Sequence, residues 1–382
     1  MNSEATKSKQ NEIFMESYSL GAIGTGHWFN RLYLSAKSDN RISIRKAAGT
    51  SPFEDKRERL SAIGLQPSSY YQVTPGMEIP KDFFSGLDAV HISNPNEFHA
   101  RQTLQSIGEG KVTVTEKTWG IDKEEFMRVS DEIKSSGAEK RTYLHLHYAH
   151  KLLTMELSSL LDRFAKENGR ISSMKATFFE RTKEDDIRRK RWLFSPKNGG
   201  LFMDWIHPFE IIYLGAGSSR MKLKSVDTYI VNQSYDTENP TGIDAEVEVS
   251  GNRFSPNATA KLSLAKGTEK DTKSFVFTFE SGASLKLDYM DSETEFSSGK
   301  RGRWSFRSPG NEIKGEPSGP STSELLINDI VSMLEGRQAG ISLKDLEEIF
   351  SPQWDYQEIS KRIRPSAETW KVKNFMQHGT EL

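Results

Sequence analysis

The chain contains no cysteine among its 382 residues. Disulfides, thiolate metal ligands and a cysteine nucleophile are therefore excluded. That composition suits a reducing compartment, and a cytoplasmic location is expected. The chain has no apolar run of about 18 residues, the length that a membrane-spanning helix needs. It also has almost no net charge: 52 Lys and Arg face 53 Asp and Glu, giving −1. A strong field for nucleic acid is not expected from such a balance. Residues 1–16 are polar and lack the apolar centre of a signal peptide, so a disordered tail is expected there. The length suggests two domains or one large one.

What is present begins at Leu20–Ile23, a short apolar run that leads straight into Gly24-Thr25-Gly26. His27 and Trp28 follow, and Trp28, Leu32 and Ala36 recur with helical spacing. Strand, glycine turn and helix form the context that gives a G-x-G motif meaning. Gly24 permits the sharp turn, Gly26 lets a pyrophosphate approach the backbone, and the helix start offers free N–H groups. Phe29 stands where the motif places its third glycine or alanine. The same pattern also occurs in plain glycine turns.

A second strand is expected over Ile42–Ala48, ending in Gly49-Thr50-Ser51. A dinucleotide fold usually places an acid here to bind the ribose 2′-hydroxyl. No acid is present, and Arg45, Lys46, Lys56 and Arg57 are near in sequence. Hydroxyls on Thr50 and Ser51 among cations suit a 2′-phosphate better than a bare ribose, so NADP is favoured over NAD. The same charges also suit the solvated start of a helix over Glu54–Ile63. Further strands are expected at Leu87–Ile92, before the turn Ser93-Asn94-Pro95-Asn96, and from Val112 to Glu116-Lys117. A helix over about Glu97–Ile107 separates them. This alternation predicts a parallel, doubly wound sheet, with Gly24, Thr50, Ser93 and Lys117 together at strand carboxyl ends.

The pattern changes after Arg141. A strand at Thr142–Tyr148, a helix at Leu152–Lys166 and a strand at Ile171–Glu180 precede a charged loop. A helix over Leu201–Leu214, closed by Gly215, is followed by five strand candidates between Ser225 and Tyr289. Few helices interrupt them, so a mainly antiparallel sheet is expected. Helices at Ser323–Glu335, Leu343–Phe350 and Trp354–Ile363 close the chain. The expected division is a dinucleotide-binding unit over 17–141 and an α/β unit for substrate binding and oligomerisation over 142–382. Val226, Val247, Val249, Phe275 and Phe277 are expected on a sheet face that a second copy covers, giving a homodimer or homotetramer.

Four segments resemble the glucose–fructose oxidoreductase / inositol dehydrogenase / rhizopine-catabolism (Gfo/Idh/MocA) family over roughly residues 17–365. They are GAIGTGHWFN, DAVHISNPNEFHARQTLQSIGEGKVTVTEK, WLFSPKNGGLFMDWIHPFEIIYLGAG and SELLINDIVSMLEGRQAGISLKDLEEIF. The departures are Phe29, Ser93 for Thr, Thr118 for Pro, and Pro208-Phe209-Glu210 where an aspartate often follows the histidine. The resemblance implies an N-terminal Rossmann domain and a C-terminal α/β domain with an open, mainly antiparallel sheet. It also implies hydride transfer between NADP or NAD and a sugar, polyol or related compound. Some members of the family are NAD-dependent glycosidases, and others bind the cofactor as non-catalytic regulators. By resemblance Gly24, Thr25, Gly26, His27, Trp28, Thr50, Ser51, Ser93, Asn94, Pro95, His99, Glu116 and Lys117 bind the cofactor.

Oxidation of a secondary alcohol needs a hydride acceptor and a group that takes the hydroxyl proton. Asp204 and His207 lie three apart on one helix face, as would an acid–base group and its orienter. An ordinary polar helix face has the same spacing, and the resemblance decides for the site. Lys117, at a strand end beside the expected nicotinamide, can polarise the substrate oxygen. Lys117, Asp204 and His207 are thus the catalytic candidates. His145 and His147 share a strand face and are of the type that holds metals, but no acid is obvious nearby, so no metal is expected. His147, Tyr148 and Trp192 are the candidates to border the substrate; Trp192 suits plain core equally. His99 suits packing or capping near the cofactor.

Overall fold

Short apolar runs ending in glycine or polar turns form the first sheet, and their two faces need helices on both sides to bury them. The computed structural model describes residues 17–181, 202–217, 220–231, 240–251, 254, 257–268, 270–290, 300–362 and 371–372. Six parallel strands, β1 (Tyr18–Ile23), β2 (Ile42–Gly49), β3 (Tyr70–Gln72), β4 (Ala89–Ile92), β5 (Val112–Glu116) and β6 (Thr142–His145), pair in the order 3-2-1-4-5-6. The connecting helices are α1 (His27–Ser38), α2 (Arg57–Ala62), α3 (Lys81–Phe84), α4 (His99–Gly108) and α5 (Lys123–Ser135). This is the doubly wound Rossmann arrangement. Phe29 is fully buried with Ala22, Ala47, Phe53, Leu60 and Leu65. The side chain that replaces the third glycine therefore fills the space between α1 and the start of α2.

The second sheet has nine strands and is mainly antiparallel. In chain order they are β7 (Ile171–Glu180), β8 (Arg220–Ile230), β9 (Gly242–Ser250), β10 (Asn257–Lys266), β11 (Thr272–Phe279), β12 (Ser284–Asp288), β13 (Arg303–Ser308), β14 (Asn311–Gly315) and β15 (Lys371–Val372). Helices α6 (Leu152–Asn168), α7 (Phe202–Ala216) and α9 (Leu343–Arg362) supply Leu157, Phe164, Trp205, Phe209 and Phe350 to the core on one face. Helix α8 (Thr322–Leu334) starts in a capping box of Ser321 and Glu324 and packs Leu326, Ile327 and Ile330 against Leu20 and Leu32 of the first sheet layer.

Several expectations change. Val247, Val249, Phe275 and Phe277 lie in the helix-covered core, and Val226 packs against its edge. Alternation sends Glu246, Glu248, Lys261 and Lys175 to the other face, where Lys224–Glu248 and Lys261–Glu246 pair at 3.0 and 3.5 Å. The apolar residues expected to seat a second copy are thus already covered. The expected break at residue 141 falls before β6, yet β6 pairs with β5 and completes the first sheet, and α8 returns to it. Helices 343–350 and 354–363 merge into α9, which carries Pro352 within it. The strand β3 and helices α3 and α5 lack a counterpart in the sequence reading. Gly215 does not close α7 but sits inside it, where a Cβ would overlap Leu157 of α6.

That close approach makes a direct test. Gly215→Val should overpack the α6–α7 contact and cost about 1–3 kcal/mol, seen as a lower denaturant midpoint. An unchanged midpoint would show that the helices do not touch there.

Candidate active site

Strand order reverses between β1 and β4, and ligands of such sheets bind at the carboxyl ends beside that reversal. Gly24 leaves β1 with φ 102°, and a Cβ on it would lie 2.7–2.9 Å from the Ser93–Asn94 backbone. Both facts require glycine. Gly26 is the N-cap of α1; it makes no side-chain cap, and no acid stands in the first turn. A Cβ on Gly26 would meet nothing within 4 Å. The free N–H groups and positive dipole end of α1 therefore face open space. The buried Ser93 Oγ and Asn94 Oδ1, across the turn, lack a partner among the described residues. An uncapped helix start, an open glycine and the Ser93 hydroxyl as a donor fit a dinucleotide pyrophosphate, while Asn94 Oδ1 can accept from a ribose hydroxyl. Pro95 follows in the same turn. His27 and Trp28 open α1, but their side chains lie outside the described residues.

At the end of β2, Lys56 Nζ donates to Thr25 Oγ1 at 2.5 Å and Arg59 Nη1 to the Thr25 carbonyl at 3.4 Å. Tyr70 donates its hydroxyl proton to the Ser51 carbonyl at 2.6 Å, while Thr50 stays exposed. Burial, then the charge of Arg59, lowers the Lys56 pKa. Two cations thus stand beside the turn, with Asp55 as the acid near Lys56 and Tyr70. Lys46 is engaged elsewhere, on the Asp82 and Ser85 carbonyls, and Arg57 pairs with Glu54. Arg59, which the sequence reading passed over, replaces them.

His99 is buried and joins the two loops behind the site. Its Nδ1 lies 2.8 Å from the Thr118 carbonyl and its Nε2 2.7 Å from the Asn94 carbonyl. The Lys117–Thr118 peptide is cis. Lys117 Nζ donates to the Met203 carbonyl at 2.7 Å and to Asp204 Oδ1. The carboxyl end of β5 therefore meets the first turn of α7.

Asp204 is held from two sides, because Oδ2 pairs with Lys266 Nζ at the end of β10. Burial works to raise the Asp204 pKa, but the charges of Lys117 and Lys266, aided by His207, outweigh it and hold the carboxyl well below its usual range. His207 Nε2 stands 3.8 Å from Asp204 Oδ1, beyond hydrogen-bond reach. The orienter of His207 is instead Glu210, whose Oε1 lies 3.0 Å from Nδ1. Glu210 is fully buried and also accepts from the Tyr148 and Ala149 amides, at 2.8 and 3.2 Å. A carboxylate at Nδ1 fixes the proton there and leaves the Nε2 lone pair free. Burial and then Lys117 lower the His207 pKa, and Glu210 offsets part of this.

Tyr148 borders the imidazole, with ring centroids 4.5 Å apart, and His147 stands 6.4 Å from it. Trp192 lies outside the described residues. Glu116 is not beside Lys117. Alternation along β5 turns it to the other face, where His145 and His91 approach it at 2.8 and 3.3 Å. Glu116 is thus the acid next to His145 that sequence spacing did not reveal. Among the described residues, no group of three or more ligands could hold a metal ion. Glu210 had a signal in sequence, since Asp204, His207 and Glu210 recur every three residues. Lys266 had none, because only sheet pairing brings it near Asp204.

No family model and no curated protein matches the chain. Solved structures do resemble it. A single-residue variant of KijD10, a 3-ketoreductase from Actinomadura kijaniata, in complex with TDP-benzene and NADP, has a TM-score of 0.70 and 14% identity over 91% of this chain and 97% of that one. The aldose–aldose oxidoreductase from Caulobacter crescentus, complexed with glycerol, has a TM-score of 0.68 and 14% identity over 91% and 97%. At such identity the likeness is one of fold, and the two-layer architecture above is shared across nearly the whole of both.

The Glu210 contact can be read by titration. A carboxylate favours the charged imidazole, so Glu210→Gln should move the His207 pKa further below the ordinary 6.5. Imidazole NMR signals measure this, with His207→Gln supplying the assignment. A value that stays put or rises would refute the pairing.

Proposed function

We propose that the chain is an NADP- or NAD-dependent oxidoreductase of the Gfo/Idh/MocA type, acting on a hydroxyl or carbonyl carbon of a sugar, polyol or related compound. One observation carries the reading: Lys117 and His207 converge on Asp204 beside the open turn formed by Gly24, Gly26 and Asn94. The folds shared with KijD10 and the aldose–aldose oxidoreductase support it.

A bound nicotinamide would supply or take the hydride. The chain handles the proton. In the oxidative direction the Nε2 lone pair of His207 takes the hydroxyl proton as the carbonyl forms, and Glu210 steadies the resulting imidazolium. The Lys117 ammonium stabilises charge on the substrate oxygen. In the reverse direction the same imidazolium returns the proton. A His207 pKa below its ordinary value keeps the ring neutral, and ready to accept, at pH 7. On the acid side the oxidative rate should therefore fall only below that lowered pKa. Lys56 and Arg59 would take the 2′-phosphate, which favours NADP.

Two measurements test the reading. NADPH should bind at least as tightly as NADH in fluorescence titrations. Lys56→Ala with Arg59→Ala should weaken NADPH roughly tenfold or more while sparing NADH. An NADH preference that the double variant leaves intact would remove the NADP assignment. His207→Ala should lower kcat by about 10²–10⁴ with cofactor affinity unchanged. Parental turnover in that variant would remove His207 from the chemistry.

A further inference from the structure

Lys266 is the last residue of β10, and its ammonium is nearly buried, with the side chain 10% exposed. It contacts Asp204 Oδ2 on one side and lies 3.4 Å from Glu180 Oε2 on the other. Glu180 ends β7 and also meets Lys273 Nζ at 3.2 Å. Charges thus alternate in a row from Lys117 through Asp204, Lys266 and Glu180 to Lys273. The row spans the carboxyl end of β5, the first turn of α7, the parallel ends of β7 and β10, and the start of β11. A buried ammonium of this kind is costly unless fully paired. Two carboxylates pair it here, and one of them belongs to the site.

We propose that Lys266 is a positioning residue of the site: it fixes the Asp204 carboxylate through Oδ2, so that Oδ1 is presented to Lys117 and stands beside His207. The inference rests on the oxidoreductase reading and deepens it. A carboxylate held by Lys117 alone could rotate with it. Held at both oxygens, it becomes a fixed anion against which Lys117 is placed. The groups that face Asp204 are Lys117 from β5, Lys266 from β10, His207 on its own helix and, through Lys266, Glu180 from β7. Burial alone would push both carboxyls up; the lysines outweigh it and hold Glu180 at about 2 and Asp204 well below its ordinary value. The Asp204 carboxyl is thereby kept ionised well below its ordinary value. Without Lys266 the Asp204 pKa rises, and protonation of that carboxyl enters the acid limb of the rate.

The experiment measures single-turnover hydride transfer against pH, with NADPH affinity by fluorescence, in the parent, Lys266→Met, Lys266→Arg and the double variant Lys266→Met/Glu180→Gln. The double variant removes the carboxylate that the single change would leave underpaired. Loss of orientation should cost Lys266→Met about 10- to 100-fold at pH 7. Its acid limb should steepen from one proton towards two, and NADPH affinity should stay within about twofold. Lys266→Arg should restore the single-proton limb. The double variant should keep the defect. An acid limb of parental slope in both Met variants overturns the proposal, as does a uniform rate loss that Arg does not rescue. A second readout needs no turnover. A depressed carboxyl stabilises the fold above its unfolded pKa and loses that contribution as pH falls through the folded one. Below the ordinary carboxyl value of 3.8 the unfolding midpoint should therefore drop further in Glu180→Gln than in Lys266→Met/Glu180→Gln. Equal drops overturn the inference. Failure of hydride transfer in the parent bears instead on the oxidoreductase reading.

Discussion

The Asp204 carboxylate, shared between Lys117 and Lys266, is the interaction on which the site depends. There the carboxyl end of a first-sheet strand, a helix of the second layer and the end of a second-sheet strand meet through side chains. An anion removed from water loses solvation that only close opposite charge can replace. Two lysines supply it here. The anion in return keeps two ammonium groups from repelling each other across a short gap.

The remaining contacts build outward from that point. His207 follows Asp204 by one helical turn and is turned by Glu210, which is itself fixed by the amides of Tyr148 and Ala149. Those amides belong to the short turn that follows β6. Placement of the imidazole is thus referred to the backbone after the last strand of the first sheet through one buried carboxylate. His99 does the same for the loops carrying Asn94 and Thr118. In the proposed chemistry His207, the group that would move the proton, is thus backed by a buried carboxylate held by two amides, which is what preorganisation requires.

Much of this was legible in the chain. The Leu20–Gly26 run gave strand, turn and helix, because apolar periodicity and glycine placement report local geometry. Lys117, Asp204 and His207 were found from strand-end position, helical spacing and family resemblance together. The remainder failed for identifiable reasons. Glu116 was assigned to the cofactor side, but one step along a strand reverses the face. Val247 and Phe275 were assigned to an open face, because alternation alone does not say which side the helices cover. Lys266 and Arg59 act through pairings far apart in sequence, and no local pattern encodes them. The gap expected between helices 343–350 and 354–363 is absent, because α9 carries Pro352 through.

The most direct test of the account removes the charge and keeps the shape. Asp204→Asn should fold and bind NADPH like the parent, because the groups that would hold the cofactor's phosphates, the Gly24–Gly26 turn with Lys56 and Arg59, do not include Asp204. Single-turnover hydride transfer to the best screened sugar carbonyl should fall by about 10² or more, since Lys117 loses its anion and His207 keeps only Glu210. Transfer at the parental rate in a folded, cofactor-binding Asp204→Asn protein would contradict the claim that this carboxylate organises the site.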